Sequence, residues 1–276
     1  MANFPTIAIG LPFVHSSGLS PQAQAYRTNV IANGGSISDS VLKIFDEQFF
    51  IPATANGNIL NNADVIRIFK GQGNQIAANT NIVGSGTVAT AVGGISWANN
   101  QGYISNGVLK YINHNFNLNG GTKFLQNDNN SGIIITNWSG SVGALYGCQQ
   151  GTSSYYNITG LGPASAMRSR NMLGATAIGA SITGMTTNTS AIYITGTKRN
   201  ASNSQTTFFD TTTANNSEIS ATPSSNSIFQ TCQNFQGTPN GTDGGTTHLA
   251  FFAGNYNFDE QTFKTLCTNL WTALGV

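Results

Sequence analysis

Residues able to do acid–base chemistry are few and widely spread in this sequence. Among 276 residues there are 10 Asp and Glu and 3 His, and charged residues make up 8% of the chain, against about 25% in an ordinary soluble protein. Glycoside hydrolysis generally needs two carboxyl groups flanking the scissile bond. No Glu-x-Asp-x-x-Glu pattern occurs, and Glu218 has no carboxylate within several residues. The sequence therefore predicts a protein that is not an enzyme.

The sequence supports nucleophilic catalysis no better than it supports glycoside hydrolysis. A Ser-His-Asp or Cys-His site takes its base from a histidine, and the candidates are His15, His114 and His248. No Gly-x-Ser-x-Gly elbow surrounds a serine. We therefore expect these histidines to be hydrogen-bonded surface or core residues. The odd number of cysteines and the lack of CxxC spacing predict buried thiols at Cys148, Cys232 and Cys267.

Carbohydrate binding requires fewer specialised residues than hydrolysis does. An aromatic side chain offers a flat surface to the C–H face of a sugar, and amide, carboxylate and backbone groups bond its hydroxyls. Several aromatic residues near loop signals, together with one polar loop, are candidates for this role. These candidates are Trp97, Tyr103, Trp138, Tyr146, Tyr155, Asn240 and Asp243. The alternative interpretation of each aromatic residue is a buried position in the core.

Calcium is the metal for which the sequence offers a candidate site, because it binds clustered oxygen ligands. The loops that contain Asp128 and Asp243 are the best calcium candidates in the sequence, with one carboxylate each. A single carboxylate in an Asn- and Gly-rich loop is also typical of a turn. We therefore expect no cofactor, with calcium at these two loops as the alternative.

The elements that would position these residues begin and end with helices. Ser20-Pro21 is typical of an N-cap followed by proline at the first helical position. A second helix is predicted from Ser36, with Asp39 in its first turn, to Pro52. An amphipathic helix is predicted from Asp259 to a stop at Gly275.

Between the helices, short runs of β-branched and aromatic residues alternate with turn-forming Asn and Gly. The predicted strands lie in residues 64–69, 87–92, 107–112, 132–136, 143–147, 172–180, 191–195, 206–209 and 249–253. No helical pattern separates them, which favours a mainly β protein with an antiparallel β-sandwich. The predicted organisation is an extended arm at 1–19, a helical segment at 20–63 and the sandwich at 64–276.

Charge and hydropathy exclude two classes of binding partner. A net charge of +1 gives no basic surface for nucleic acid, and no run of about 18 apolar residues predicts a membrane span. The arm nevertheless carries a series of hydrophobic residues interrupted by two prolines. These residues are Phe4, Ile7, Ile9, Leu11, Phe13 and Val14. Such a segment suits an interface better than water, so we expect the arm to dock on another subunit of a homo-oligomer.

Three parts of the sequence, taken in chain order, resemble a group of phage and prophage proteins. The first part comprises residues 33–39 and the run Asp-Val-Ile-Arg-Ile-Phe-Lys-Gly at 64–71. The second is Lys-Tyr-Ile-Asn-His-Asn-Phe-Asn at 110–117, similar to a Lys-Tyr run that introduces the strands of their main domain. The third is Leu-Ala-Phe-Phe-Ala-Gly at 249–254, followed by Phe-Asp-Glu at 258–260 and the last helix.

The resemblance implies a fold and a function. That group is similar to concanavalin A-like lectin and glucanase domains of jelly-roll fold, and its members are commonly virion structural proteins. The resemblance therefore implies a capsid or tail decoration or fibre-type protein that displays a jelly roll and is assembled in the host cytoplasm with other virion proteins. Binding of cell-surface glycans is a secondary role that this display would allow. A lectin-like module for a glycan or receptor is the alternative, and a polysaccharide hydrolase is a third.

Overall fold

The computed structural model describes residues 18–84, 86–105, 109–136, 143–150, 154–160, 166–173, 179–183, 191–240 and 246–276. At residues 154, 155, 158–160 and 166 only the backbone is described. The predicted arm at 1–19 lies outside the described residues except for its last two positions.

The described residues form five α-helices and seventeen strands. The helices are α1 (Pro21–Ala32), α2 (Asp39–Phe45), α3 (Ile51–Ala55), α4 (Gln75–Asn79) and α5 (Glu260–Leu274), with a π-helical turn at Asp46–Phe50 and a 3₁₀ turn at Leu60–Asn62. The strands are β1 (Ala63–Ile68), β2 (Thr90–Val92), β3 (Ser96–Ala98), β4 (Gly102–Ile104), β5 (Tyr111–Asn117), β6 (Asn129–Thr136), β7 (Gly143–Gln150), β8 (Ser154–Gly160), β9 (Ala166–Leu173), β10 (Ala180–Thr183), β11 (Tyr193–Ala201), β12 (Ser204–Phe209), β13 (Thr212–Asn216), β14 (Ser227–Gln230), β15 (Gln233–Phe235), β16 (Thr238–Asn240) and β17 (Thr247–Gly254).

The strands build two sheets. Sheet A has the order β13-β12-β11-β6-β17-β4-β3, and β1 also pairs with β17. Sheet B has the order β10-β9-β8-β7-β14-β5-β2, with β15 beside β7 and β16 beside β15. Among the described strands the pairing is antiparallel except that β15 runs parallel to β7. The prediction of a mainly β sandwich with an N-terminal helical segment and a C-terminal helix is confirmed.

Sheet A is buried on both faces, because side chains alternate along a strand. In β6, Ile133 and Ile135 point into the core between the two sheets. Ile134 points the other way, into a core that the sheet shares with α1, α2 and α5. The molecule therefore has three layers, and the helical segment shares its core with one face of the sandwich.

Two facing glycines let large rings lie flat on the helix-facing side of sheet A. Gly132 in β6 is the cross-strand partner of Gly196 in β11. A Cβ atom at Gly132 would lie 2.8 Å from the ring of Phe252, and one at Gly196 would lie 2.5 Å from the ring of Phe208. A side chain at either glycine would displace a core ring.

Helix α5 forms as its sequence predicts. Asp259 caps it by accepting a hydrogen bond from the Thr262 N–H at 2.9 Å, and Gly275 ends it with φ 69°, the left-handed conformation that glycine adopts without strain. Its buried stripe is Phe263, Leu266, Cys267, Leu270 and Trp271. The predicted buried thiols are also confirmed at Cys148, Cys232 and Cys267.

Three local predictions are corrected. The second helix is capped by Ser38, whose hydroxyl accepts from the Val41 N–H, so Ser36 is not the cap. The helical path also continues past Pro52, since a π turn in which the Ile51 N–H bonds to the Asp46 carbonyl widens the helix just before the residue that lacks a donor.

The third correction concerns strand ends. The run 172–180 is not one strand, because β9 ends at Leu173 and β10 begins at Ala180. Conversely, the strand predicted at 191–195 extends further, because β11 continues to Ala201. Lys198 and Arg199 there are the cross-strand partners of Asn130 and Asn129 in β6, and such pairing outweighs local preference.

Candidate functional site

Every Asp and Glu except Asp243 lies in the described residues, and each has a structural partner. Asp39, Glu47, Asp210 and Glu260 pair with the cations Arg27, Lys43, Lys264 and Lys198. Asp46, Asp64, Asp128, Glu218 and Asp259 accept hydrogen bonds from backbone N–H groups. These carboxylates cap helices, hold loops and pair with cations, as groups committed to structure do.

Glu218 shows what such a carboxylate does. Its Oε2 accepts a hydrogen bond from the Gly179 N–H at 2.9 Å. Its main-chain carbonyl accepts from the guanidinium of Arg199 at 3.3 Å. Arg199 is fully buried and also donates to carbonyls of the β11–β12 turn and to that of Asn171. The two side chains therefore tie the end of β13 to sheet B.

His114 lies in the core between the sheets. Its Nδ1 is 3.1 Å from Nη1 of Arg67, its Nε2 is 2.9 Å from Oε1 of Gln230, and its ring stacks on Phe251 at 3.8 Å. Burial, and then the charge of Arg67, lower the pKa of His114 well below its usual 6.5. His248 is equally buried. Both histidines therefore lack the access that a substrate would need, as expected for core residues, and His15 lies outside the described residues.

Arg67 is the unusual member of this buried cluster. Its guanidinium is fully buried and donates to the carbonyls of Asn79 at 2.9 Å and Thr87 at 3.2 Å. Burial lowers the pKa of Arg67 to about 9. Carbonyl dipoles and the neutral imidazole of His114 thus satisfy a charge that is usually paired with a carboxylate when buried.

Two aromatic candidates for glycan binding are wrong. Tyr103 and Tyr146 are fully buried. The hydroxyl of Tyr103 donates to Asn79 at 2.8 Å, and that of Tyr146 donates to the carbonyl of Ser131 at 2.9 Å. A ring without accessible surface cannot contact a sugar, so the alternative interpretation as core aromatics holds for both.

The other candidates are not brought together. Trp97 is partly buried on β3, at one edge of sheet A, and its indole N–H donates to the carbonyl of Phe69 at 2.8 Å. Asn240 is exposed at the end of β16, beside sheet B. Tyr155 lies in β8, where only the backbone is described. Trp138 and Asp243 lie outside the described residues.

Asp128, a calcium candidate, has a different task in the described structure. Its Oδ1 accepts a hydrogen bond from the N–H of Tyr256 at 2.8 Å. Over the described part of the chain, no group of three His, Cys, Asp or Glu side chains is placed to hold a metal ion. Asp128 therefore fixes the turn between β17 and α5.

That turn borders a polar depression of about 560 Å³ at one end of the sandwich, which we call the Tyr256 pocket. Its walls come from the β11–β12 turn, the first half of β12 and the end of β13. The lining residues are Asn203, Ser204, Gln205, Thr206, Asn215, Asn216, Ser217 and Tyr256. Tyr256 is the aromatic residue among them, and none of these residues is charged.

Contacts behind the pocket hold Tyr256 in place. Its backbone is anchored by Asp128, and its ring lies 5.3 Å from the ammonium nitrogen of Lys198, measured to the ring centroid. Lys198 in turn pairs with Glu260 at 2.7 Å. A cation near an aromatic ring contributes about 0.5–1 kcal/mol at exposed sites, so the ring is oriented before any ligand arrives.

The amides of the pocket are arranged as donors. Oδ1 of Asn215 accepts from the hydroxyl of Thr206 at 2.8 Å, and Oδ1 of Asn216 accepts from the N–H of Glu218. Within the described structure the amide nitrogens of both residues make no hydrogen bond. A ligand in the pocket therefore meets these two N–H donors, the hydroxyl-bearing side chains of Ser204 and Ser217, and one aromatic ring, which suits an uncharged molecule rich in oxygen atoms.

Sequence reasoning missed Tyr256, although a signal was present. Gly254-Asn255-Tyr256-Asn257 places an aromatic residue between two turn-forming asparagines directly after a strand. Attention to aromatic residues flanked by such turns would have included it.

The comparisons with known proteins bear on the fold. No protein-family model matches the chain, and no curated protein matches it. Among solved structures, a Trypanosoma rangeli sialidase in complex with 2,3-difluorosialic acid matches 83% of this chain and 38% of its own, with a TM-score of 0.54 and 13% identity.

Two neurotoxin structures match as well. The binding domain of botulinum neurotoxin DC, in complex with rat synaptotagmin II, matches 77% of this chain with a TM-score of 0.51 and 9% identity. The binding domain of botulinum neurotoxin serotype D matches 77% with a TM-score of 0.53 and 8% identity. This chain spans 38–52% of the length of these three structures. At such low identity they show a shared β fold alone.

Proposed function

We propose that this protein is a non-catalytic β-sandwich that binds glycans in the Tyr256 pocket and serves as a structural component of a phage virion. The pocket is the observation that carries the binding role. Its aromatic ring can face the apolar side of a sugar, and its amide donors can bond the sugar's oxygens. The virion role, with assembly in the host cytoplasm, rests on the three resembling parts of the sequence.

The donor-rich lining suggests a class of sugar. Hydroxyl groups both donate and accept, whereas carbonyl and carboxylate oxygens only accept. Because the amide nitrogens of Asn215 and Asn216 are available as donors, N-acetylated sugars, whose carbonyl oxygen only accepts, match the pocket better than sugars without such a group.

The carboxylates support a non-catalytic role. Each described Asp and Glu already caps a helix, holds a loop or pairs with a cation, and none lines the pocket. A glycosidase of the usual kind needs an acid and a second carboxylate free to act on the bound sugar. The sialidase among the structural neighbours is an enzyme, but 13% identity transfers no activity to this chain.

Replacing Tyr256 by alanine is expected to weaken glycan binding about tenfold. An aromatic contact contributes about 0.5–1.5 kcal/mol beyond buried area, and 1.4 kcal/mol is a factor of ten in affinity. A glycan array would identify the best ligand, and calorimetric titration would compare the variants. Phe235→Ala, which removes a ring exposed on β15, serves as the matched control. Equal affinity of Tyr256→Ala and the unaltered protein would contradict the site.

A protein receptor is a second candidate ligand, and two exposed aliphatic residues favour it. Leu125 is 48% exposed and Ile219 is 75% exposed. Their loops are joined by a hydrogen bond from Gln126 to Ser220 at 3.1 Å, and Asp128, close to Leu125 in sequence, holds the backbone of Tyr256. An array without any carbohydrate signal at high protein concentration would favour this candidate.

Removing residues 1–19 is expected to convert a defined oligomer into a monomer. The arm carries the hydrophobic residues that suit a subunit interface. Beside the start of α1, a depression of about 260 Å³ with both apolar and polar residues in its walls, among them Leu60 and Asn61, is a candidate contact surface for the arm. Light scattering on both proteins measures the mass, and Phe13→Ser in the full chain is a milder variant. The same oligomer in every variant would refute the role of the arm.

The virion role has its own test. Proteomic analysis of gradient-purified phage particles should find the chain in stoichiometric amounts with other particle proteins. Absence from particles whose other proteins are detected would refute the role, whatever the outcome for the pocket.

The helices add one finding about membranes. Among the described residues, no helix has both the length and the apolar character needed to cross a bilayer.

A further inference from the structure

Lys198, Asn130 and Glu260 bring an amine, a carboxamide and a carboxyl group together under the start of α5. Lys198 in β11 is the direct cross-strand partner of Asn130 in β6, and both side chains meet Glu260 on the helix-facing side of sheet A. Oε1 of Glu260 lies 2.7 Å from Nζ of Lys198, and its Oε2 accepts from Nδ2 of Asn130 at 2.8 Å. One carboxylate thus bridges two neighbouring strands.

The group is withdrawn from water. Asn130 is fully buried, Glu260 is 8% exposed, and 21% of the Lys198 side chain is accessible. The ring centroids of Phe208 and Tyr256 lie 5.9 Å and 5.3 Å from Nζ of Lys198. The ammonium and the carboxylate are therefore in direct contact beside two aromatic rings and largely away from bulk water.

The carboxamide of Asn130 makes hydrogen bonds through its nitrogen and not through its oxygen. Nδ2 donates to the carbonyl of Phe258 at 3.0 Å and to Glu260. Oδ1 is buried and, within the described structure, has no hydrogen-bond partner. An unsatisfied buried carbonyl normally costs about 1–3 kcal/mol, so simple structural bridging does not explain this arrangement. The nitrogen that would leave is also the atom in contact with the carboxyl group.

We infer that Lys198 and Asn130 condense to an isopeptide bond, with Glu260 as the proton carrier. Glu260 takes a proton from the amine, and the lone pair of Nζ attacks Cγ of Asn130. The tetrahedral intermediate collapses as Glu260 returns this proton to Nδ2 and the Cγ–Nδ2 bond breaks. Glu260 then takes the second proton from Nζ and passes it to the departing ammonia, which leaves as ammonium. The new bond is Nζ–Cγ, the carboxyl group is regenerated, and no oxidant, reductant or co-reactant is needed.

Such a bond would join β6 to β11 covalently, and these strands are neighbours in the middle of sheet A. The chain between residues 130 and 198 would become a closed loop, which limits the unfolded state as a disulfide does. Unlike a disulfide, this cross-link would be formed without oxidation. The inference does not depend on the virion role or on glycan binding, although it involves Lys198, whose Nζ lies 5.3 Å from the ring centroid of Tyr256.

The intact mass of the denatured protein tests the inference directly. Loss of ammonia lowers the mass by about 17 Da, and tryptic digestion should yield a branched peptide that contains both Asn130 and Lys198. Lys198→Arg and Glu260→Gln should each have their full calculated mass. Lys264→Arg is the matched control, because Lys264 pairs with Asp210 at the same distance of 2.7 Å. The Asp210 carboxylate is bonded to a backbone N–H instead of a carboxamide. The Lys264→Arg protein should therefore still be about 17 Da lighter than its calculated mass.

Full mass in the unaltered protein after prolonged incubation at neutral pH, with no branched peptide, would overturn the inference. A mass deficit retained in Lys198→Arg would also overturn it, since the loss would then arise elsewhere. Should a variant fail to fold, the branched peptide of the unaltered protein still decides the question.

Discussion

Replacing Phe252 by alanine is expected to lower the free energy of unfolding by about 3–5 kcal/mol. Phe252 is fully buried in β17, stacks on Phe258 with centroids 4.3 Å apart, and meets the edge of Phe263 in α5 at 5.4 Å. Its ring also lies over Gly132. Removing it would open a cavity where the sheet, the last turn and the last helix meet.

Chemical denaturation of the purified variant measures this effect. A loss of this size is a large part of the roughly 5–15 kcal/mol that stabilises an ordinary domain. Phe235→Ala is the control, because Phe235 is 37% exposed and its loss should change the unfolding free energy by much less. Equal stability of the two variants would mean that the helical layer does not depend on this contact.

Acid is expected to destabilise the protein from about pH 6.5 downwards through His114. In the unfolded chain this histidine has a pKa of about 6.5, whereas burial and Arg67 hold the pKa of the folded state well below that. Below pH 6.5 His114 is therefore protonated in the unfolded state but stays neutral in the folded state. The unfolding free energy should fall by about 1.4 kcal/mol per pH unit until the folded pKa is reached, and above pH 6.5 this residue adds no slope.

Denaturation between pH 7.5 and 5 would show the slope, and His114→Gln should flatten it. Glutamine retains an acceptor for Arg67 and a donor for Gln230 without titrating. The groups around His114 include Arg67 and His248, so the slope that persists in His114→Gln belongs to other residues. A flat profile in the unaltered protein would contradict the prediction, as would an identical slope in the two proteins.

The secondary structure was largely predictable because it depends on neighbours in sequence. The Ser20 cap, the stripe and glycine stop of α5, and the β-branched run of β1 all report local conformational preferences. The limits of α2 were less predictable, since the widened turn before Pro52 lies where Phe49 and Phe50 enter a core that distant parts of the chain complete. Local patterns do not contain that information.

Pairing and burial could not be predicted from such patterns. Tyr103 and Tyr146 have ordinary loop or strand surroundings in sequence, and only the stacking of the two sheets buries them. Arg67 and Arg199 resemble exposed charges in sequence, yet both are satisfied by backbone carbonyls in the interior. The Tyr256 pocket likewise depends on β12 and β13 meeting a turn that lies far along the chain.

The position of β17 has a consequence for how the protein is made. It follows every other strand in chain order, yet it lies between β6 on one side and β1 and β4 on the other. While the chain is being translated, the backbone groups of these three strands that pair with β17 stay without that partner until residue 254 has left the ribosome. Contacts between such distant residues also form slowly. Sheet A is therefore completed only after most of the chain has been synthesised, and the nascent protein depends on remaining soluble until then.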